Sequence, residues 1–394
     1  MSALSELLSL PGGERLARGL EHTPAEIAQQ PETWLSTFDV FRKKREQIAE
    51  FLALAGIGAS PRPRPTVFLI GAGTSDYIGQ SLTYLLRRCW NCEVIAVPST
   101  DLLTHMDEWM MPEKKYLWIS FSRSGDSPEG VAVLESARRN HPDIHHLVVS
   151  CNARGRMIRE IADEPRGLGI CLDDAVNDRG LAMTSSFSNM VIFGQCLAHT
   201  NDPGTYEGVL SRLVQAGREF LPRAADSAAA LAKKAYTKAC FVGSGALRAV
   251  AKESALKLVE LTAGKTLTMS ESVLGLRHGP MAALDQGTLF VCFLSGNRRV
   301  QPYERDLLEE IGKKQLVGCR VVVGGGEVDR DSVAEHYVAS SAGIGLGDDY
   351  RAAVDVIFGQ LLGLFGSLQF DLRPDCPSPN GAISRVVQNV NIHS

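Results

Sequence analysis

Short apolar runs recur along the chain, and most are followed by a glycine- or serine-rich turn and then by apolar residues at helical spacing. The series opens with "TVFLIGAGTSDYIGQSLTYLL" from Thr66, and "CEVIAVPS", "YLWISFS" and "HHLVVSC" follow it. Strand and helix in alternation predict an α/β fold with a parallel, doubly wound sheet. Ahead of this series, residues 1 to about 60 predict helix. "TPAE" at 23 to 26 fits a capping box with proline in the first turn. The prolines of "PRPRP", residues 61 to 65, end that block because they cannot continue a helix.

The pattern then returns. "ACFVGSGALRAVAKESALKLV" mirrors "TVFLIGAGTSDYIGQSLTYLL", with Gly71 and Gly243 separated by 172 positions. "LFVCFLSGNRRV" mirrors "LWISFSRSGDSP", and Phe121 and Phe293 keep the same step. "GCRVVVGG" answers "HHLVVSCN". One offset shared by separate landmarks predicts a duplicated domain. The expected layout is a helical segment at 1–64, a first α/β domain at 65–200 and a helical linker at 201–235. A second α/β domain at 236–372 and a tail at 373–394 complete it.

Composition narrows the classes. With 44% hydrophobic and 22% charged residues and a net charge of −4, the chain reads as a globular protein with no bias toward nucleic acid or acidic lipid. The odd count of 9 cysteines, several inside apolar runs, predicts reduced, buried thiols in a reducing compartment. Cys89 and Cys92 form a lone Cys-x-x-Cys with no second pair to complete a zinc site. The N-terminus lacks a signal peptide's apolar core. "AAVDVIFGQLLGLFGSLQF" carries Asp355 and Gln360 and reads as a core helix rather than a membrane span. A cytoplasmic chain without membrane or nucleic-acid partners is expected.

Two stretches carry candidate chemistry. The glycine turn "GAGTSDYIG" departs from Gly-x-Gly-x-x-Gly, since Asp76 holds the sixth place, and the second copy lacks a third glycine. Nicotinamide and flavin binding are therefore disfavoured, and no cofactor or metal is expected. "SFSRSGDSPE" at 120 to 129 places Ser122, Ser124 and Ser127 at a strand end that opens toward a helix N-terminus, a natural anion site. Ser127 can cap that helix, with Pro128 in its first turn. The alternative is a serine-rich turn whose hydroxyls bond their own backbone. Thr74 and Ser75 of the first glycine turn lie at a neighbouring strand end and favour a phosphate.

The second copy keeps one serine in its loop and gains "KESALKLVELTAGKTLTMSESVLGLRHGPM" instead. Glu253, Lys257 and Glu260 fall on one helix face, at i, i+4 and i+7. That face could be a solvated charge stripe. The first copy, however, has Ser81, Leu85 and Arg88 near the matching places, so the fold does not demand these charges. His278 sits in a Gly-Pro turn, where a structural role is as open as a catalytic one.

"FLIGAGTS", "SFSRSGDSPE", the repeat and "ALKLVEL…RHGP" together resemble the sugar isomerase (SIS) proteins, over about residues 65 to 390. "HTPAEIAQQPETW", "GLAMTSSFS" and "DCPSPNGAISRVVQNVNIH" resemble the narrower tagatose-6-phosphate ketose/aldose isomerase family, which includes galactosamine-6-phosphate deaminase/isomerases. The resemblance implies two tandem flavodoxin-like SIS domains and a hexose or hexosamine 6-phosphate substrate. It implies that Ser122, Ser124 and Ser127 hold the phosphate together with Gly73, Thr74 and Ser75, and that Arg123 lends at least a main-chain N–H. Glu260 matches the base that moves a proton between the first and second sugar carbons, and Lys257 a lysine lining that site. His278 matches the ring-opening histidine, supplied across a homodimer interface. Asp178, Thr184 and Ser185 match a stretch that closes over the sugar.

These roles suit the chemistry. One shielded carboxylate can pick up and return a proton, typically worth about 10²–10⁴-fold. Donors must also meet the charge that develops on the intermediate. Lys257 could serve there or simply keep Glu260 ionised. One departure stands out: synthase relatives carry a lysine near the C-terminus, whereas this chain has none after Lys314 and places Arg385 there. An arginine is too basic to form an imine, so direct proton transfer is expected. The N-terminal block of about 60 residues does not start with cysteine and does not read as a glutamine-hydrolysing segment, so deamination is expected rather than synthesis. Simple isomerisation of tagatose 6-phosphate and a non-catalytic sugar-phosphate sensor are the alternatives.

Overall fold

The structure is a computed structural model that describes residues 1–58, 64–324, 333–340, 345–378, 380–387 and 390–393. Residues 61–63 of the proline stretch lie outside the described residues, as do 379, 388, 389 and 394 of the expected tail. The chain forms two compact units. One comprises Thr33–Asn177, Ser185–Gly208 and Ile383–Ser394; the other comprises Met1–Glu32, Asp178–Thr184 and Val209–Ala382.

The first of these units holds β1 (Thr66–Gly71), β2 (Val94–Pro98), β3 (Tyr116–Ser122), β4 (His145–Ser150) and β5 (Gly167–Cys171), all parallel in the order β2-β1-β3-β4-β5. Every residue of β1 and β3 is buried, which explains why these strands read as unbroken apolar runs rather than alternating ones. Phe68, Ile70, Val97, Trp118, Val133 and Ile144 pack one face of this sheet. Elsewhere in the unit, Leu82 of helix Thr74–Trp90 approaches helix Ser185–Ala198 closely at Gly194, where a Cβ would lie 2.2 Å from the leucine Cδ1.

The other unit repeats the plan with β6 (Lys238–Gly243), β7 (Leu267–Ser272), β8 (Thr288–Leu294), β9 (Cys319–Gly324) and β10 (His336–Ala339), again all parallel, in the order β10-β9-β8-β6-β7. Renumbered within the repeat, both sheets have the same strand order. The bounds of β6 and β8 each stand 172 residues beyond those of β1 and β3, so the duplication is present in three dimensions. Its tight turns are equivalent too. A Cβ on Gly71 would lie 2.3 Å from the main-chain carbon of Ser75, and one on Gly243 would lie 2.4 Å from the carbonyl oxygen of Leu247. Glycine at each strand end thus lets the following helix begin directly against the turn.

Helix Asp348–Gln369 is long and apolar enough to span a bilayer, yet Arg351 to Ser367 are all buried inside the unit. It packs along helix Leu247–Leu261. Gly359 and Gly363 permit the approach: Cβ atoms there would meet Ser254 at 2.2 Å and the Lys257 carbonyl oxygen at 2.8 Å. This close packing seals one side of the helix that carries Lys257.

The "TPAE" segment does begin a helix, Thr23–Ala28, but its side chains do not form the expected box. The Thr23 hydroxyl donates to Asp375 Oδ1 at 2.7 Å, and Glu26 accepts from the main-chain N–H groups of Arg179 and Gly180. Long-range partners outcompete the local cap.

Candidate active site

At the C-terminal ends of β1, β2 and β3 lies a cavity of about 50 Å³, lined by Gly71, Ser75, Ser99, Ser120, Ser122, Ser127 and Gly130 among others. Among the described residues, no carboxylate or cationic side chain lines it. Gly73 precedes helix Thr74–Trp90 with φ 55 and ψ −122, a conformation suited to glycine, and Thr74 and Ser75 form the buried first turn. Ser127 caps helix Pro128–Asn140 by accepting from Gly130 N at 3.1 Å, as the sequence implies. Helices Thr74–Trp90, Ser99–Trp109 and Pro128–Asn140 thus begin at this cavity, and their N-terminal N–H groups and dipoles favour an anion.

Ser122 Oγ accepts from Gly125 N at 3.0 Å, and Ser124 Oγ accepts from Asp126 N at 3.1 Å. The local-turn reading and the anion reading are therefore not exclusive. Each accepted bond fixes the oxygen, and the hydroxyl hydrogen is still a donor. Gly125 completes the turn at φ 67.

The corresponding loop of the repeat, after β8, is filled by the protein's own acids. Glu304 accepts from Ser295 N at 2.8 Å, while Asp348 accepts from Gly296 N at 2.8 Å and from the Ser295 hydroxyl. Arg351, fully buried, ties Asp348 to the Leu294 carbonyl at 3.0 Å each. Burial holds the Glu304 carboxyl above its usual range, with the Ser295 N–H pulling the other way. One copy lines the strand-end position with neutral hydroxyls; the other has placed carboxylates there. This contrast gives physical content to the divergence of the two loops.

Helix Leu247–Leu261 presents Glu253, Lys257 and Glu260 together. Lys257 Nζ lies 3.4 Å from Glu253 Oε1 and 2.5 Å from Glu260 Oε2. Lys257 and Glu253 are fully buried, whereas the Glu260 side chain is 29% exposed. The solvated-stripe alternative is excluded for the first two. Glu260 remains reachable at the end of the series. His278 ends the short 3₁₀ turn Gly275–Arg277 and is exposed, with its N–H donating to the Gly275 carbonyl at 2.9 Å.

The remaining expected residues are engaged elsewhere. Thr184 donates from its N–H and hydroxyl to Asp178, at 2.8 and 3.1 Å, and both are buried. Ser185 starts its helix with no exposure, and its carbonyl accepts from Asn189 Nδ2 at 2.9 Å. The Arg123 guanidinium donates to the main-chain carbonyl of Arg385 at 2.5 Å, and the Arg385 guanidinium donates to Asn177 Oδ1 at 2.5 Å. Cys89 is exposed, and burial pushes the Cys92 thiol up to about 11, which disfavours thiolate chemistry.

Ser99 and Ser120 were not legible as site residues, although Ser99 directly follows Pro98 at the end of β2. Its place at a strand end, like those of Ser75 and Ser122, was the available signal. Glu26 was also missed. Burial and the neighbouring Asp178 raise its carboxyl to about 7, against the two main-chain N–H donors that lower it.

The repeated parallel sheet with this strand order, opening at one copy onto a hydroxyl-lined cavity between helix N-termini, is the tandem sugar isomerase (SIS) arrangement that the sequence resemblance implies. No family model matches the chain. A Streptomyces coelicolor protein with the provisional name D-galactosamine-6-phosphate deaminase AgaS is 38% identical over 378 residues, 95% of each chain. The Escherichia coli D-galactosamine-6-phosphate deaminase AgaS is 32% identical over 376 residues, 94% of this chain and 95% of its own. The chain belongs to this AgaS family. A Clostridium novyi structure provisionally named a tagatose-6-phosphate ketose/aldose isomerase superposes with a TM-score of 0.91 at 27% identity, covering 100% of this chain and 97% of its own.

Proposed function

We propose that the protein is a deaminating isomerase that converts D-galactosamine 6-phosphate to tagatose 6-phosphate and ammonia. The observation that carries this reading is the Lys257–Glu260 pair, in which a reachable carboxylate is oriented by a buried ammonium at 2.5 Å. A base needs that combination of access and fixed direction.

In this reading Ser75, Ser122, Ser124 and Ser127, with the main-chain N–H groups of Gly73, Thr74 and Arg123, hold the 6-phosphate. The hydroxyl-lined cavity supports the parts of Ser75, Ser122 and Ser127, which line it. His278 protonates the ring oxygen as the sugar opens. Its exposure on its own chain is compatible with supply across a homodimer interface. Glu260 then moves the proton from the second carbon to the first by way of an enolamine, while a proton passes from the amino nitrogen to the first-carbon oxygen, leaving an imine at the second carbon. One water adds to that imine, ammonia leaves, and the ketose remains. Lys257 keeps Glu260 in line and offsets charge on the intermediate.

The choice of amino sugar is supported by the names of the AgaS relatives. Isomerisation without deamination is the second reading, favoured by the name of the Clostridium novyi structure. Incubation with galactosamine 6-phosphate, glucosamine 6-phosphate and tagatose 6-phosphate in heavy water separates them. Ammonia from galactosamine 6-phosphate alone is the expected result. Deuterium exchange without ammonia selects the simple isomerase, and neither signal from any sugar overturns both.

A further inference from the structure

Arg123 lies between two serines of the anion loop, is only 6% exposed, and turns its guanidinium to the main-chain carbonyl of Arg385. Its own carbonyl is held by Cys151 N at 3.2 Å and by Ser150 Oγ at 3.4 Å. The loop therefore fixes the arginine from behind, and the arginine fixes the tail. A second bond joins the same stretch, from the Arg385 guanidinium to Asn177, itself buried and bonded to Asp174 Oδ1 at 3.3 Å. The flanking Ile383 and Val387 are 64% and 56% exposed, so apolar burial does little to seat this segment. A segment with few buried apolar contacts owes its placement to its polar ones.

We infer that Arg123 is a positioning residue that latches the C-terminal segment around Arg385 to the serine loop, so that filling the anion site and docking the tail reinforce one another. The coupling rests on the proposed reading of the serine loop as a phosphate site; the latch itself does not. If a phosphate orders the loop that carries Arg123, linkage requires that a docked tail tighten phosphate binding by the same factor.

The test is hydrogen–deuterium exchange of the full-length protein, read on peptides covering residues 380–393, with inorganic phosphate as the probe. Without ligand, Arg123→Met should speed exchange of the tail by about tenfold or more, the loss of one charge-assisted hydrogen bond. Arg123→Lys, which still carries a donor, should recover part of the protection. Arg385→Ala should have a smaller effect, because the latch uses its main-chain carbonyl. Peptides from β3 should exchange as in the parent, which separates a lost latch from misfolding. Phosphate should slow tail exchange in the parent and not in Arg123→Met.

Unchanged tail exchange in ligand-free Arg123→Met overturns the latch. Equal slowing by phosphate in both proteins overturns the coupling. Phosphorus NMR titration separates the two remaining failures. Phosphate that binds the parent without affecting its tail refutes the coupling alone. Phosphate that does not bind refutes the serine-loop reading and the coupling with it, while the ligand-free comparison still decides the latch.

Discussion

Lys257 offers a test in which structure and chemistry separate. Its ammonium is fully buried, 3.4 Å from the equally buried Glu253 and 2.5 Å from the partly exposed Glu260. Lys257→Met keeps much of the side-chain volume but leaves the Glu253 carboxylate buried without that ammonium. Breaking a buried pair by removing one partner costs about 3–5 kcal/mol. Glu260→Gln removes a charge at the more exposed end and should cost no more than about 1–2 kcal/mol. Adding Glu253→Gln to Lys257→Met should restore most of the stability, because the double variant no longer buries a carboxylate deprived of its ammonium. Urea unfolding followed by circular dichroism reads all four proteins. Activity should remain lost in the double variant, since Glu260 would still lack its orienting cation. A Lys257→Met protein within about 1 kcal/mol of the parent would refute the claim that these charges are a buried unit. So would a double variant no more stable than the single one.

Stability should depend on pH through Glu26. Its folded-state carboxyl titrates at about 7 against an ordinary 4.5, so its contribution is complete below about 4.5 and is lost as pH rises through 7. The loss amounts to about 3 kcal/mol, and Glu26→Gln should flatten the change in unfolding midpoint between pH 5 and pH 8. Gly363→Ala, whose Cβ would lie 2.6 Å from Leu261 Cδ1, should lower stability by about 1–3 kcal/mol in the same assay. Ser122→Ala and Ser75→Ala should each raise KM for the sugar phosphate by about tenfold with kcat less affected, the weight of one hydrogen bond to a charged group. Steady-state kinetics checks both.

The apolar runs of β1, β3, β6 and β8 were legible because their strands are buried on both faces, and the 172-residue step fixed their correspondence. β7 was not, because Leu267–Ser272 is a half-exposed edge strand with only Leu267 and Met269 apolar. The short β10, also at an edge, and the glycine-containing β5 gave equally little pattern. Within the site, spacing along one helix was enough to unite Lys257 with Glu260 and Glu253. The Arg123–Arg385 bond, the carboxylates of Glu304 and Asp348 in the second loop, and Glu26 against residues 178–180 all depend on partners distant in the chain or on a different element. Local periodicity carries no record of such partners. The capping-box reading failed for the same reason, since Asp375 claims the Thr23 hydroxyl from more than three hundred residues away.

The division of labour between an anion-gripping copy and a proton-moving copy is tested most directly by Glu260→Gln mixed with galactosamine 6-phosphate and followed by phosphorus NMR. The account predicts that the phosphate resonance shifts on binding, as with the parent protein, and that no tagatose 6-phosphate signal grows. Conversion at the parent's rate would contradict it.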